Sequence, residues 1–247
     1  MKIQSSFKII NKALRNKGYS KKNMYTIVSG TNVGKTTFLL QETLKFISCG
    51  AKVLFISNEI SKETIVNKLL NVYRKKRKVD NFFPFADLEI LYGKCKKKLV
   101  IVDNIKNKVD YVNIIKEIKP DVVVIDYPNS FLSGKLDTLN TIQLKHHLNI
   151  FFKEHCYINN YSLLITEQLN RDVSFDNVGP IYSQSISAMS DGIILLNNKN
   201  KHLEILKNRD GHLISVPAKF FEGNSTIIEE LNSLPNMPTI PKMPPKK

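Results

Sequence analysis

The chain has 247 residues, with 37 Lys and Arg against 22 Asp and Glu, so its formal charge is +15. A chain of that length suits one domain, or one domain with a tail, and buries roughly 70–75% of its unfolded surface, so a hydrophobic core can stabilise it without disulfides or a structural metal. No apolar run approaches the 20 or so residues of a membrane span, the first residues (Met1 to Phe7) lack a signal-like apolar stretch, and Cys49, Cys95 and Cys156 are odd in number and far apart; the expectation is a reduced, cytoplasmic protein with no membrane association.

Of the basic residues, 32 are lysine and 5 arginine. Two readings of that surplus stand side by side: the codon usage of an AT-rich genome, or attraction to a polyanion, since about +15 on a domain of this size concentrates nucleic acid around it. The scarcity of arginine gives Arg171 and Arg209 weight, because a guanidinium makes a forked contact that lysine cannot.

In chain order, apolar strands are expected near Met24–Ser29, Lys52–Ser57, Leu99–Asp103, Asp121–Asp126 and Ser162–Thr166, alternating with helices near Lys35–Ser48, Ser61–Arg77, Asp110–Lys119 and Thr138–Ile158. Alternation of this kind predicts an α/β fold with a mostly parallel central sheet flanked by helices. Gly192–Leu196, His202–Leu206 and His212–Phe220 read as short strands, the last two joined by a turn that ends in Asp210-Gly211, and predict a C-terminal antiparallel β extension. The expected organisation is a short N-terminal segment over 1–23, a core over 24–222 and a Pro/Lys-rich, disordered tail over 223–247, where Leu234–Lys247 holds five of the ten prolines.

The strongest local signal is Ser29-Gly30-Thr31-Asn32-Val33-Gly34-Lys35-Thr36, followed by Thr37, between an apolar strand and an amphipathic helix. A nucleoside triphosphate needs such an arrangement: loop and helix N–H groups face the phosphates, Lys35 reaches the β/γ oxygens, and the Thr36 hydroxyl binds Mg²⁺. The strict pattern fails by one residue, because Ser29 stands at the first glycine position. A carboxylate at another strand end should hold the metal through water, and both Asp103 and Asp126 qualify by spacing. Glu59, just past the strand ending at Ser57, sits where a strand adjacent to the P-loop strand would deliver a general base, although a solvated helix-entry residue has the same signature.

Five segments together resemble one family. Ser57-Asn58-Glu59-Ile60-Ser61, Ile125-Asp126-Tyr127, Glu167-Gln168-Leu169-Asn170-Arg171, Ser183-Gln184-Ser185 with Ser190-Asp191, and Lys207-Asn208-Arg209-Asp210-Gly211 are similar, in this order over Thr26–Phe221, to motifs of DnaB-like replicative helicases of helicase superfamily 4, including phage members. The resemblance implies a RecA-like P-loop NTPase that hydrolyses ATP with Mg²⁺ and moves on single-stranded DNA in phage or plasmid replication. It implies Asp126 as the carboxylate on the metal side, Glu59 as catalytic base, Gln168 as the link from γ-phosphate to the DNA loops, and Lys207 and Arg209 as groups reaching a neighbouring subunit's nucleotide. The implied partners are single-stranded DNA, replication proteins and further copies of the chain, in a homo-oligomer of which a hexameric ring is one form. The alternative is a RecA-fold ATPase that binds single-stranded DNA, or docks on a replication or recombination complex, without unwinding.

Two departures qualify the resemblance. About 28 residues precede the P-loop, so the family's N-terminal domain is expected to be missing, and Asp172–Ser187, where the central DNA-binding loop should lie, lacks an arginine near Ile181; Lys135, in the loop after Asp126, could contribute to DNA contact instead. The basic runs Arg74–Lys78 and Lys94–Lys98 look like nucleic-acid patches, but the first ends a helix, where a solvated helix end is an equal reading, and His146, His147, His155 and Cys156 match no usual zinc spacing.

Overall fold

The structure is a computed structural model and describes residues 3–77, 98–132, 141–168, 186–209, 211–220 and 227–229. The five apolar runs form β1 (Met24–Ser29), β2 (Val53–Ser57), β3 (Leu99–Asp103), β4 (Val122–Asp126) and β5 (Ser162–Gln168). The C-terminal part adds β6 (Gly192–Asn197), β7 (His202–Asn208), β8 (Ile214–Phe220) and β9 (Ile227–Glu229). The helices are α1 (Lys8–Ala13), α2 (Lys35–Ser48), α3 (Lys62–Arg77), α4 (Lys108–Ile118), α5 (Thr141–Ile158) and the short α6 (Ile186–Met189).

Among the described residues the sheet order is β3-β2-β4-β5-β1-β6-β7-β8-β9. The strands from β3 to β6 run parallel, and β7, β8 and β9 follow antiparallel. One expectation is corrected here: the run beginning at Gly192 is a parallel strand beside β1, so the antiparallel extension begins only at β7. Both neighbours of β6 satisfy its backbone, and its apolar sequence cannot reveal their directions.

Helices cover both faces, which is why the central strands read as continuous apolar runs. Along β4, Val122 and Val124 enter one core with α2 and α3, while Val123 and Ile125 enter the other with α4 and α5. β2 divides in the same way, Val53 and Phe55 against Leu54 and Ile56. The period-two alternation of a strand thus distributes one apolar run between two cores.

Residues ahead of β1 belong to the first of these cores. Ile3, Phe7, Ile9, Ile10 and Ala13 are buried in it, and the Phe7 ring stacks on Phe38 of α2 with centroids 4.8 Å apart. The buried Glu42 carboxylate of α2 accepts from Ser5 Oγ at 2.6 Å and Ser6 N at 3.1 Å, tying the segment to the helix that follows the P-loop. Phe7→Ala is expected to cost about 3–5 kcal/mol through lost burial and the cavity left behind. A thermal melt lowered by roughly 10 °C checks it.

Most of the tail expected to be disordered lies outside the described residues. Within it, Ile227–Glu229 is a strand, a correction to that expectation: Ile227 is buried, and its N–H and C=O pair with the Gln41 side chain at 2.9 and 3.0 Å. Three residues are too short to show a periodic pattern; they pair antiparallel with the end of β8, and the Gln41 side chain that holds Ile227 lies 186 residues away. No helix among the described residues is long and apolar enough to cross a membrane.

Candidate nucleotide site

β1 is buried throughout and ends at Ser29, so the loop leaves the sheet at the carboxyl ends of the parallel strands, where α/β sheets bind ligands. Asn32 and Gly34 take positive φ, 59° and 105°, which turns the chain tightly into α2. Gly34 is the N-cap of α2; no side chain caps it, and its first turn holds no acid. Unclaimed N–H groups and the positive end of the helix dipole suit an anion.

Lys35 Nζ donates to Ser29 Oγ at 3.2 Å and to the Gly30 carbonyl at 3.1 Å. The hydroxyl at the position expected for glycine is therefore one of the groups that hold the lysine within the loop. Burial pushes the Lys35 ammonium below its ordinary pKa, while the charges of Asp126, Glu59 and Glu167 act in the opposite direction. Bound phosphate would add to the second influence.

The two strand-end carboxylates are separated by the sheet order. Asp126, on β4, is 1% exposed, and its two oxygens accept from Thr36 Oγ1 at 2.6 Å and Thr166 Oγ1 at 2.8 Å. Asp103 ends the outermost strand β3 and accepts from Lys62 N at 3.0 Å at the start of α3, well away from the P-loop. Thr36 and Asp126 thus supply adjacent oxygen donors of the kind Mg²⁺ takes together with water and phosphate.

Glu59 is exposed and lines a cavity of about 500 Å³ together with Thr31 to Thr37, Asp126 and Gln168. Its strand is not adjacent to β1, as spacing had suggested; β4 and β5 intervene. The loop after β2 still reaches the cavity because Asn58 N donates to the Asp126 carbonyl at 2.8 Å, Asn58 Nδ2 to the Ile105 carbonyl at 2.8 Å, and Ser57 Oγ to the Ile60 carbonyl at 2.5 Å. Gln168 lies beside Ser29 in register, and its Nε2 donates to Thr31 Oγ1 at 3.0 Å.

No family model matches the chain, and no curated protein does. Solved structures do match. A structure of a single ATPase domain superposes with a TM-score of 0.74 at 18% identity, over 92% of this chain and 91% of that one. A DnaB-like replicative helicase, described with its interactions with primase, gives 0.71 at 17% identity over 92% of this chain, which spans 62% of the helicase's length. A KaiC-like protein from the hyperthermophilic archaeon Pyrococcus horikoshii OT3 gives 0.60 at 17% identity, over 93% and 98% of the two chains. The fold is RecA-like.

Within this RecA-like fold, Lys207 and Arg209 stand apart from the cavity. Lys207 pairs with Ile193 and Asn208 with Gly192 at the start of β6, whereas Ser29 lies beside Leu196 near its end. The two basic residues are therefore at the opposite end of the sheet from their own P-loop. Arg209 is half-exposed, bonded through Nη1 to Asp191 Oδ1 at 3.3 Å and through Nη2 to the Ala188 carbonyl at 2.6 Å. Residues 169–185, which carry Leu169-Asn170-Arg171 and Ser183-Gln184-Ser185, and Lys135 lie outside the described residues.

Sequence reasoning missed several cavity residues: Lys68, Asn71 and Val72 of α3, Asn198 after β6, and Phe220 at the end of β8. The only local signal is the i, i+3, i+4 spacing on α3, which marks a shared helix face without saying what it meets. Asn198, just after β6, and Phe220, the last residue of β8, line the cavity on the side of β1 away from Asp126 and Glu59. Of the histidine and cysteine residues of α5, His155 and Cys156 serve packing: His155 Nδ1 is 2.9 Å from Tyr161 Oη, and burial pushes the Cys156 thiol up to about 12. Among the described residues, no group of three or more His, Cys, Asp or Glu side chains is arranged to hold a metal ion.

Proposed function

We propose that the protein is a DnaB-like ATPase that couples Mg²⁺-dependent ATP hydrolysis to movement along single-stranded DNA as a replicative helicase or translocase. The observation that carries this reading is the convergence of Lys35, Thr36, Asp126, Glu59 and Gln168 on one cavity, in a fold shared across nearly the whole chain with an ATPase domain and a DnaB-like replicative helicase.

The backbone of Gly30 to Gly34 and the start of α2 bind the phosphates, with Lys35 leaving its loop contacts for the β/γ oxygens. Thr36 would hold Mg²⁺ directly and Asp126 would hold it through water, and the ion so held would supply positive charge beside the transferred phosphoryl group. Glu59 takes the proton of the attacking water, and Gln168, bonded to Thr31, senses whether the γ-phosphate is present. Arg209 and Lys207, remote from their own cavity, serve that of the next subunit, which makes a homo-oligomer the working form.

Lys35→Ala is expected to abolish ATP hydrolysis and, with it, displacement of a strand from a forked duplex. Wild-type turnover stimulated by single-stranded DNA without strand displacement would instead select the binding ATPase that does not unwind. Affinity for single-stranded DNA is expected to fall by about 10³–10⁵ between roughly 50 and 200 mM salt if on the order of 6–10 phosphates are contacted. An anisotropy titration reads it, and no binding at low salt would leave codon usage as the account of the +15 charge.

A further inference from the structure

We infer that Asp191 is a positioning residue for Arg209, holding its guanidinium in one orientation for presentation to a neighbouring subunit's nucleotide. The inference rests on the reading of Arg209 as a group that acts in trans.

Asp191 lies just before β6 with its side chain 9% exposed, and a carboxylate withdrawn from water must be paired. Oδ2 accepts from Met24 N at 2.8 Å and is ion-paired with Lys153. Oδ1 accepts from Arg209 Nη1 at 3.3 Å. The backbones are tied as well, with Arg209 N donating to the Asp191 carbonyl at 2.9 Å and Asp191 N to the Met24 carbonyl at 2.8 Å. The second arm of the guanidinium donates to the Ala188 carbonyl in α6, a short helix whose last carbonyls have no partner within it.

The turn that carries Arg209 is braced from the other side by α1. Asn208 Nδ2 and His212 N both donate to the Ala13 carbonyl, at 3.0 and 3.3 Å. A Cβ on Gly211 would lie 2.0 Å from that same oxygen, so only glycine fits there. These contacts hold the backbone near Asn208, Gly211 and His212, and the Arg209 side chain is held by Asp191 and Ala188 while 47% of it remains exposed.

An arginine free on a surface samples many rotamers, and ordering it only when a neighbour docks would be subtracted from the catalytic gain. Pre-ordering removes that cost. The surroundings also suit an anionic visitor, since Lys153, Lys207 and Arg209 surround a single carboxylate; burial and the neighbouring Arg209 charge hold the Lys207 ammonium below its ordinary pKa.

The test mixes two full-length variants. Lys35→Ala lacks a working P-loop and can only donate an arginine; Arg209→Ala has a working P-loop and can only accept one. The pair is expected to restore ATP turnover that neither shows alone. Asp191→Asn, which keeps an acceptor for Met24 N, is then added to one partner at a time. In the donor it should lower the restored kcat by roughly tenfold to a hundredfold with KM for ATP unchanged. In the acceptor, whose arginine is already gone, the restored rate should persist. Asp191→Glu, which keeps the charge for Lys153 but displaces the guanidinium, should lose the same rate from the donor, and thermal melts confirm that each protein is folded. Equal loss from either partner, or full activity with Asp191→Asn or Asp191→Glu in the donor, overturns the positioning role. No turnover from the parent pair overturns the trans reading itself, and the inference with it.

Discussion

Arg209→Ala is expected to hydrolyse ATP about 10³–10⁵-fold more slowly than the wild type while binding nucleotide almost as well. The argument starts from distance. Asn208 pairs with Gly192 at the start of β6, whereas the P-loop leaves β1 at Ser29 beside Leu196, at the other end, so the arginine is not placed to reach a phosphate on its own P-loop. A guanidinium brought by a neighbour meets charge that is greater in the transition state than in bound ATP, so its loss falls on kcat and hardly on affinity. Single-turnover hydrolysis and a nucleotide titration separate the two quantities. Wild-type turnover by an Arg209→Ala chain that stays monomeric with ATP and single-stranded DNA would exclude a shared site.

Glu59→Gln should keep ATP binding and lose turnover by about 10²–10⁴-fold, the usual contribution of a positioned base. Glutamine has the same shape and can still hydrogen-bond the water, but it cannot take its proton. The loop is held by Asn58 and Ser57 rather than by Glu59, so the substitution should leave its geometry intact. A second effect follows from charge: Glu59 is one of three carboxylates that raise the Lys35 pKa against the effect of burial. Removing it lowers that pKa further, so nucleotide affinity should begin to fall at a lower pH than in the wild type. A titration at several pH values reads the shift, and wild-type turnover in Glu59→Gln would show that another group is the base.

Much of this was legible in local sequence because the relevant signals are contiguous. Burial on both faces makes the central strands unbroken apolar runs, and the P-loop is one stretch from Ser29 to Thr37 whose donors come from its own backbone and side chains. The choice between Asp103 and Asp126 was not legible by spacing, since both end apolar strands of equal length. Strand order sets which of them lies beside the P-loop, by placing β4 one strand from β1 and β3 at the outer edge.

The sequence by itself determined the elements, the phosphate loop and the candidate set of chemical groups, because each depends on neighbours within a few residues. Only the tertiary structure decided which of those groups meet. It brought Asp126 onto Thr36 across 90 residues, seated Phe7 on the helix after the P-loop, carried Glu59 past two intervening strands, and sent Arg209 to the far end of the sheet, where Asp191 holds it. The physical reason is that pairing between distant strands is set by how two apolar faces are jointly covered, a property of the whole sheet that no single strand's pattern contains.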